Sequence, residues 1–124
     1  MARLFTDEIR QVCTADNLAA VLLELCERRE LCGVFHWAGA EAVSRHVLGL
    51  AIAARFGIRT EGRIVATQLI GTQLAVTRPS DLRLDFRPLT ELLVTRPEPL
   101  AVQLPRLAVP EALRAAVERL RAAL

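Results

Sequence analysis

The sequence contains no lysine and no tyrosine. Without them the chain has no Schiff-base lysine and no Tyr/Lys proton-transfer pair. It also lacks a G-x-G-x-x-G turn after a strand and a phosphate-cradling P-loop, so neither of the usual nucleotide cradles is encoded. Long hydrophobic runs are missing: none approaches the roughly 18 residues needed to span a bilayer. The opening "MARLFTDEIR" carries acids and no apolar core segment, which is not the pattern of a signal peptide. A cytoplasmic protein without membrane attachment is expected. Cysteine is sparse, and Cys13, Cys26 and Cys32 show no CxxC spacing. Reduced thiols that behave as small buried hydrophobes are expected.

Aromatics are equally scarce, with four Phe and one Trp. All 16 basic residues are Arg, dispersed among 14 acids for a net charge of +2, and Arg28–Arg29 is the one adjacent basic pair. A nucleic-acid surface needs a basic stripe with stacking aromatics, and none is present. His36 and His46 lack a third ligand at motif spacing, so no metal site is expected.

What remains is a 124-residue chain with 52% hydrophobic residues, enough for one domain (1–124) with a real core. Thr14 is placed to cap a helix over about 15–29, with Leu18, Val21, Leu22 and Leu25 along one buried face. "GVFHWAG" (33–39) reads as a strand, with Val34 and His36 facing one way and Phe35 and Trp37 the other. Ser44 caps a second helix over about 45–56, closed by Gly57 and apolar enough to be buried on more than one side. Gly49 within it implies close approach of a strand. The stretch from Arg63 to Phe86 reads as strand or extended loop broken by Gly71. "RPLTELLV" reads as a short helix and "RPEPLAVQLP" as an extended connection. Pro110 starts a last helix with Leu113, Val117, Leu120 and Leu124 on one face.

Three segments share a family pattern in one order. "TADNLAAVLLEL", "LCGVFHWAGAEAVSRHVLGLAIAARFGI" and "VTRPSDLRLDFRPL" together cover most of residues 7–93. They resemble the C-terminal segments of dTDP-4-dehydrorhamnose reductase-like proteins, which are extended short-chain dehydrogenases. Val12 stands where that family often has Pro, Asn17 where it has Asp, and Phe86-Arg87-Pro88 replaces Thr-Ser-Lys.

The resemblance implies an α/β fold. It would be a small mixed subdomain of about four helices and two or three short strands, the substrate-binding part of a Rossmann-type reductase without the Rossmann half. The implied function is to bind a sugar nucleotide so that NAD(P)H reduces its 4-keto carbon. No catalytic residue and no cofactor site are expected in this chain. The Rossmann domain would come from a missing segment or a separate catalytic chain. A homodimer is also expected. The alternative is a stand-alone, non-catalytic regulatory or assembly subunit that binds a protein partner. The resemblance places Arg78, in "TRPSDL", at the sugar-nucleotide diphosphate, where a guanidinium fork suits phosphate oxygens. It places Arg10, in the loop before the first helix, at the border of the substrate pocket.

Overall fold

The computed structural model describes residues 1–122. In chain order the elements are β1 (Ala2–Phe5), β2 (Ile9–Arg10), α1 (Ala15–Glu27), β3 (Val43–Ser44) and α2 (Arg45–Arg55). Then follow β4 (Ile64–Thr67), a 3₁₀ turn (Gln73–Val76), α3 (Arg87–Thr90), α4 (Leu100–Arg106) and α5 (Glu111–Ala122). This is a small mixed α/β unit with five α-helices among the described residues.

β1 and β4 pair in parallel, from Ala2 opposite Ile64 to Phe5 opposite Thr67. Parallel strands need a crossover, and α2 lies against β1 within it. Gly49 makes this approach possible, because a Cβ there would fall 2.2 Å from Leu4 Cδ1 on β1. The close helix–strand contact expected from Gly49 is therefore present. β2 and β3 form a second, antiparallel pair, with Ile9 opposite Ser44 and Arg10 opposite Val43. Arg10 thus sits on a short strand rather than in the predicted loop.

Both predicted helix caps are formed. Thr14 Oγ1 accepts from the Asn17 N–H, and Ser44 Oγ accepts from the Val47 N–H. Gly57 takes the left-handed conformation (φ 64°) after α2. α1 ends two residues earlier than predicted: Arg28 is its C-cap and turns its guanidinium to the Leu92 carbonyl, 3.0 Å away. α2 packs on β1 and α4, yet Val47 and Leu50 remain exposed, so its burial is less complete than its composition implies.

Residues 33–39 are not a strand. Among the described residues no strand pairs with them. The predicted alternation still holds: Val34 and His36 are exposed, while Phe35 and Trp37 pack against the buried cluster of Val21, Leu89 and Leu93. Each fully buried side chain of this size contributes about 1.5–3 kcal/mol. Asn17 fixes the segment in place. Its Oδ1 accepts from Trp37 Nε1 at 2.9 Å and its Nδ2 donates to the Arg96 carbonyl at 3.0 Å.

The proline-rich stretch also departs from expectation, because residues 100–106 are helical. Pro97 and Pro99 precede the helix, where they obstruct nothing. Pro105 falls in the last turn, and the helix ends one residue later. Buried Gln103 anchors α4, with Nε2 donating to the carbonyls of Val12 and Glu98. Several arginines act as helix ends rather than as ligand donors. Arg55 donates to the carbonyls of Leu104, Pro105 and Leu107 at the end of α4, and Arg121 donates to that of Phe56 at the end of α2. Positive charge is favourable at these C-termini. On α5, Leu113 and Leu120 are exposed, and Leu124 lies outside the described residues.

Candidate functional site

The chain leaves β1 through Thr6, whose N–H donates to the Thr67 carbonyl, and continues the pairing with β4 by one residue. Asp7 then turns toward the next loop. Its carboxylate accepts the N–H groups of Leu69 (2.6 Å) and Ile70 (3.0 Å), and these donors hold its pKa below the usual carboxylate value. With Asp7 committed there, the alternating chain directs Glu8 and Arg10 together to the other side.

Glu8 is fully buried. Its backbone lies between two further segments. The Glu8 carbonyl accepts from the Arg45 N–H, and the Ile9 N–H donates to the Ser80 carbonyl at 2.6 Å. These bonds bring the N-terminus of α2 and the Arg78–Asp81 loop to opposite flanks of one side chain. Glu8 Oε1 consequently receives three guanidiniums: Arg10 at 2.6 Å, Arg45 at 3.4 Å and Arg78 at 3.6 Å. Glu8 Oε2 is buried with no hydrogen-bond partner.

The three cations differ in availability. Arg10 is 19% exposed and bonds inward, to the Ile9 and Pro79 carbonyls as well as to Glu8. Arg45 and Arg78 are 46% and 41% exposed, and Glu8 is the one side-chain partner that the described residues give them. Three guanidiniums against Glu8 give these four groups a formal charge of +2, which Asp7, lining a hollow beside Arg78, reduces to +1. Burying a carboxylate costs several kcal/mol, and a nearby set of cations is the usual compensation. Beside Arg78 opens a hollow of about 450 Å³ lined by Asp7, Leu69, Ile70, Ala75, Pro79 and Ser80. Of the three cations Arg78 alone lines this hollow, together with the Asp7 carboxylate, and its exposed guanidinium is the group there that favours an anionic ligand.

The two arginines singled out from the sequence, 10 and 78, are thus brought to one carboxylate. Glu8 and Arg45 were not singled out. For Glu8 a signal existed, since i and i+2 share a face in extended chain and Arg10 stands two residues on. For Arg45 the sequence offered only its position after a helix cap.

Elsewhere the chemistry is sparse. A mostly apolar hollow of about 530 Å³, lined by Val12, Leu48, Ile52, Leu100, Leu104 and Leu107 among others, separates α2 from α4. The cysteines are not the buried hydrophobes expected. Cys26 and Cys32 are exposed, and Cys13 is partly buried, which pushes its thiol pKa up. No group of three or more His, Cys, Asp or Glu able to hold a metal ion is present among the described residues. None of their helices is long and apolar enough to cross a membrane.

The family model for the RmlD substrate binding domain matches residues 2–112. The chain belongs to that family. The match to the RmlD substrate binding domain agrees with the three dTDP-4-dehydrorhamnose reductase-like segments, and it takes in Glu8 and all three arginines around it. As an RmlD substrate binding domain, the chain is one part of a sugar-nucleotide-reductase-like architecture. Comparison with curated proteins finds no match.

Proposed function

We propose that the chain is the sugar-nucleotide-binding portion of an NAD(P)-dependent reductase of the dTDP-4-dehydrorhamnose reductase type, and that the arginine cluster takes the substrate's diphosphate. What carries the reading is the convergence of Arg10 and Arg78 on buried Glu8 within a chain of this family. Arg78 offers its outward donors to phosphate oxygens, while Arg10, spent on inward bonds, contributes its charge. Binding energy gained at the diphosphate, remote from the reacting carbon, would serve to orient the sugar.

The cofactor belongs elsewhere in this reading. The sequence offers neither a G-x-G-x-x-G turn after a strand nor a P-loop to support a cofactor here. With no Tyr or Lys in the sequence, the proton-transfer pair also comes from outside this chain. A Rossmann domain, joined to this one or carried by a separate polypeptide, supplies both. In isolation the chain is not catalytic.

A second reading, a non-catalytic subunit that binds a protein partner, draws on the exposed Leu18, Leu22 and Leu23 of α1 and Val47 and Leu50 of α2. Apolar surface of this kind marks interaction faces. It would equally suit a Rossmann partner or a second copy of the chain.

Calorimetric titration with a nucleoside diphosphate hexose tests the first reading. Arg78→Ala should weaken binding by about 1.5–3 kcal/mol, the worth of a hydrogen bond to a charged group. Its fold should persist, because Arg78 is partly exposed, its contact with Glu8 is long at 3.6 Å, and Arg10 and Arg45 stay beside the buried carboxylate. Arg78→Lys should restore part of the loss, keeping the charge without the planar fork. A folded Arg78→Ala variant that binds like wild type would make Arg78 an ordinary surface arginine.

A further inference from the structure

The cluster contains a group that an anion site does not obviously need, a carboxylate. Glu8 is fully buried, touches all three guanidiniums through one oxygen, and leaves the other without a donor. We infer that Glu8 is a positioning and charge-setting residue: it gathers Arg10, Arg45 and Arg78 into one cradle and lowers the cradle's positive charge by one, which favours a dianionic diphosphate diester over a more highly charged anion. Arg45 is the third cation of that cradle. The inference rests on the diphosphate reading of the cluster.

The first part follows from repulsion. Three guanidiniums held around one point oppose each other, and a shared anion offsets part of that opposition. Glu8 Oε1 is placed between three chain segments, so it orders the cations before any ligand arrives. The second part follows from charge. A diphosphate esterified at both ends carries one negative charge per phosphorus. A free nucleoside diphosphate has a terminal phosphate whose second ionisation lies near pH 6, so it carries three charges at pH 8. A carboxylate at Glu8 repels each ligand charge, so it disfavours a trianion more than a dianion.

Two substitutions change the cradle in opposite directions. Glu8→Gln keeps the shape and an acceptor oxygen but raises the charge by one. Arg45→Gln lowers it by one, at a half-exposed side chain whose loss the fold should tolerate. A unit charge acting on the one extra ligand charge across about 8 Å, at an effective dielectric of about 20–40, corresponds to about a 6- to 30-fold change in relative affinity.

The experiment compares uridine diphosphate with uridine diphosphate glucose as probes, by calorimetry of the full chain at pH 8 and low ionic strength. Relative to wild type, Glu8→Gln should shift the affinity ratio toward uridine diphosphate and Arg45→Gln toward the glucose diester, each by about that factor. A purely structural role would weaken both ligands alike. Unchanged ratios in folded variants, or shifts of the same sign, would overturn the inference while leaving the diphosphate site intact. Should Glu8→Gln fail to fold, Arg45→Gln decides alone, by a shift toward the diester or by none. If wild type binds neither probe, the diphosphate reading falls and carries this inference with it.

Discussion

Gly39 and Gly49 are both places where the backbone is approached closely, and the structure predicts costs of different size for adding one methyl group to each. At Gly39 a Cβ would lie 1.9 Å from the Val12 carbonyl oxygen and 2.9 Å from its carbon. Both are main-chain atoms, so relief requires a backbone shift of about 1 Å, and overpacking of this kind costs about 1–3 kcal/mol. That shift also disturbs a buried hydrogen bond, because the same carbonyl accepts from Gln103 Nε2 at 3.2 Å. Losing it adds about 1–3 kcal/mol. Gly39→Ala should therefore destabilise by about 2–6 kcal/mol, a large share of the 5–15 kcal/mol typical of a domain. At Gly49 the obstacle is Leu4 Cδ1, the end of a side chain that can rotate. There the overpacking is partly offset by about 1 kcal/mol of improved helix propensity, leaving a net cost of about 0–2 kcal/mol. Urea unfolding of both variants, followed by circular dichroism, separates the cases. Gly39→Ala within about 0.5 kcal/mol of wild type, or less harmful than Gly49→Ala, would refute the reasoning; the smaller value is the usual range for an inconsequential substitution.

Acid should destabilise the fold through two carboxylates. The Thr95 hydroxyl together with the Thr95 and Val94 N–H groups lowers the Glu24 pKa from 4.5, and the Leu69 and Ile70 N–H groups lower that of Asp7 from 3.8. A depressed folded pKa means that this stability is present above the unfolded values and is lost as pH falls from about 4.5 through the folded ones. Melting temperature against pH should therefore be flatter there in Glu24→Gln and Asp7→Asn than in wild type. Asn17→Ala should cost about 2–4 kcal/mol, because it leaves the Trp37 N–H and the Arg96 carbonyl without partners. A urea midpoint unchanged from wild type would contradict that. The exposed leucines of α1 and the Val47–Leu50 face of α2 should drive self-association. Sedimentation should show it in wild type and its loss in Leu22→Arg or Val47→Arg; a wild-type monomer at high concentration would argue against it.

The local features of this fold were legible because their causes are local. Thr14 and Ser44 cap their helices through an N–H three residues away. The buried face expected of α1 was only partly right: Val21 is buried, but Leu18 and Leu22 are exposed, because no described element covers them. Residues 33–39 show the boundary. Their alternation correctly separated Phe35 and Trp37 from Val34 and His36, yet a strand also requires a hydrogen-bonding partner, which no window of sequence contains. α4 was missed for a related reason. Prolines 97, 99 and 105 looked like breakers until the structure put two before the helix and one in its last turn, while Gln103 held the helix through distant carbonyls. The candidate site divides in the same way. Sequence and family resemblance sufficed to choose Arg10 and Arg78, because guanidinium chemistry is a property of the residue. Tertiary structure alone decided that they meet, 68 positions apart, on a carboxylate buried between them with Arg45 as a third cation. Burial and convergence arise from long-range packing, and they turn dispersed surface charges into a site.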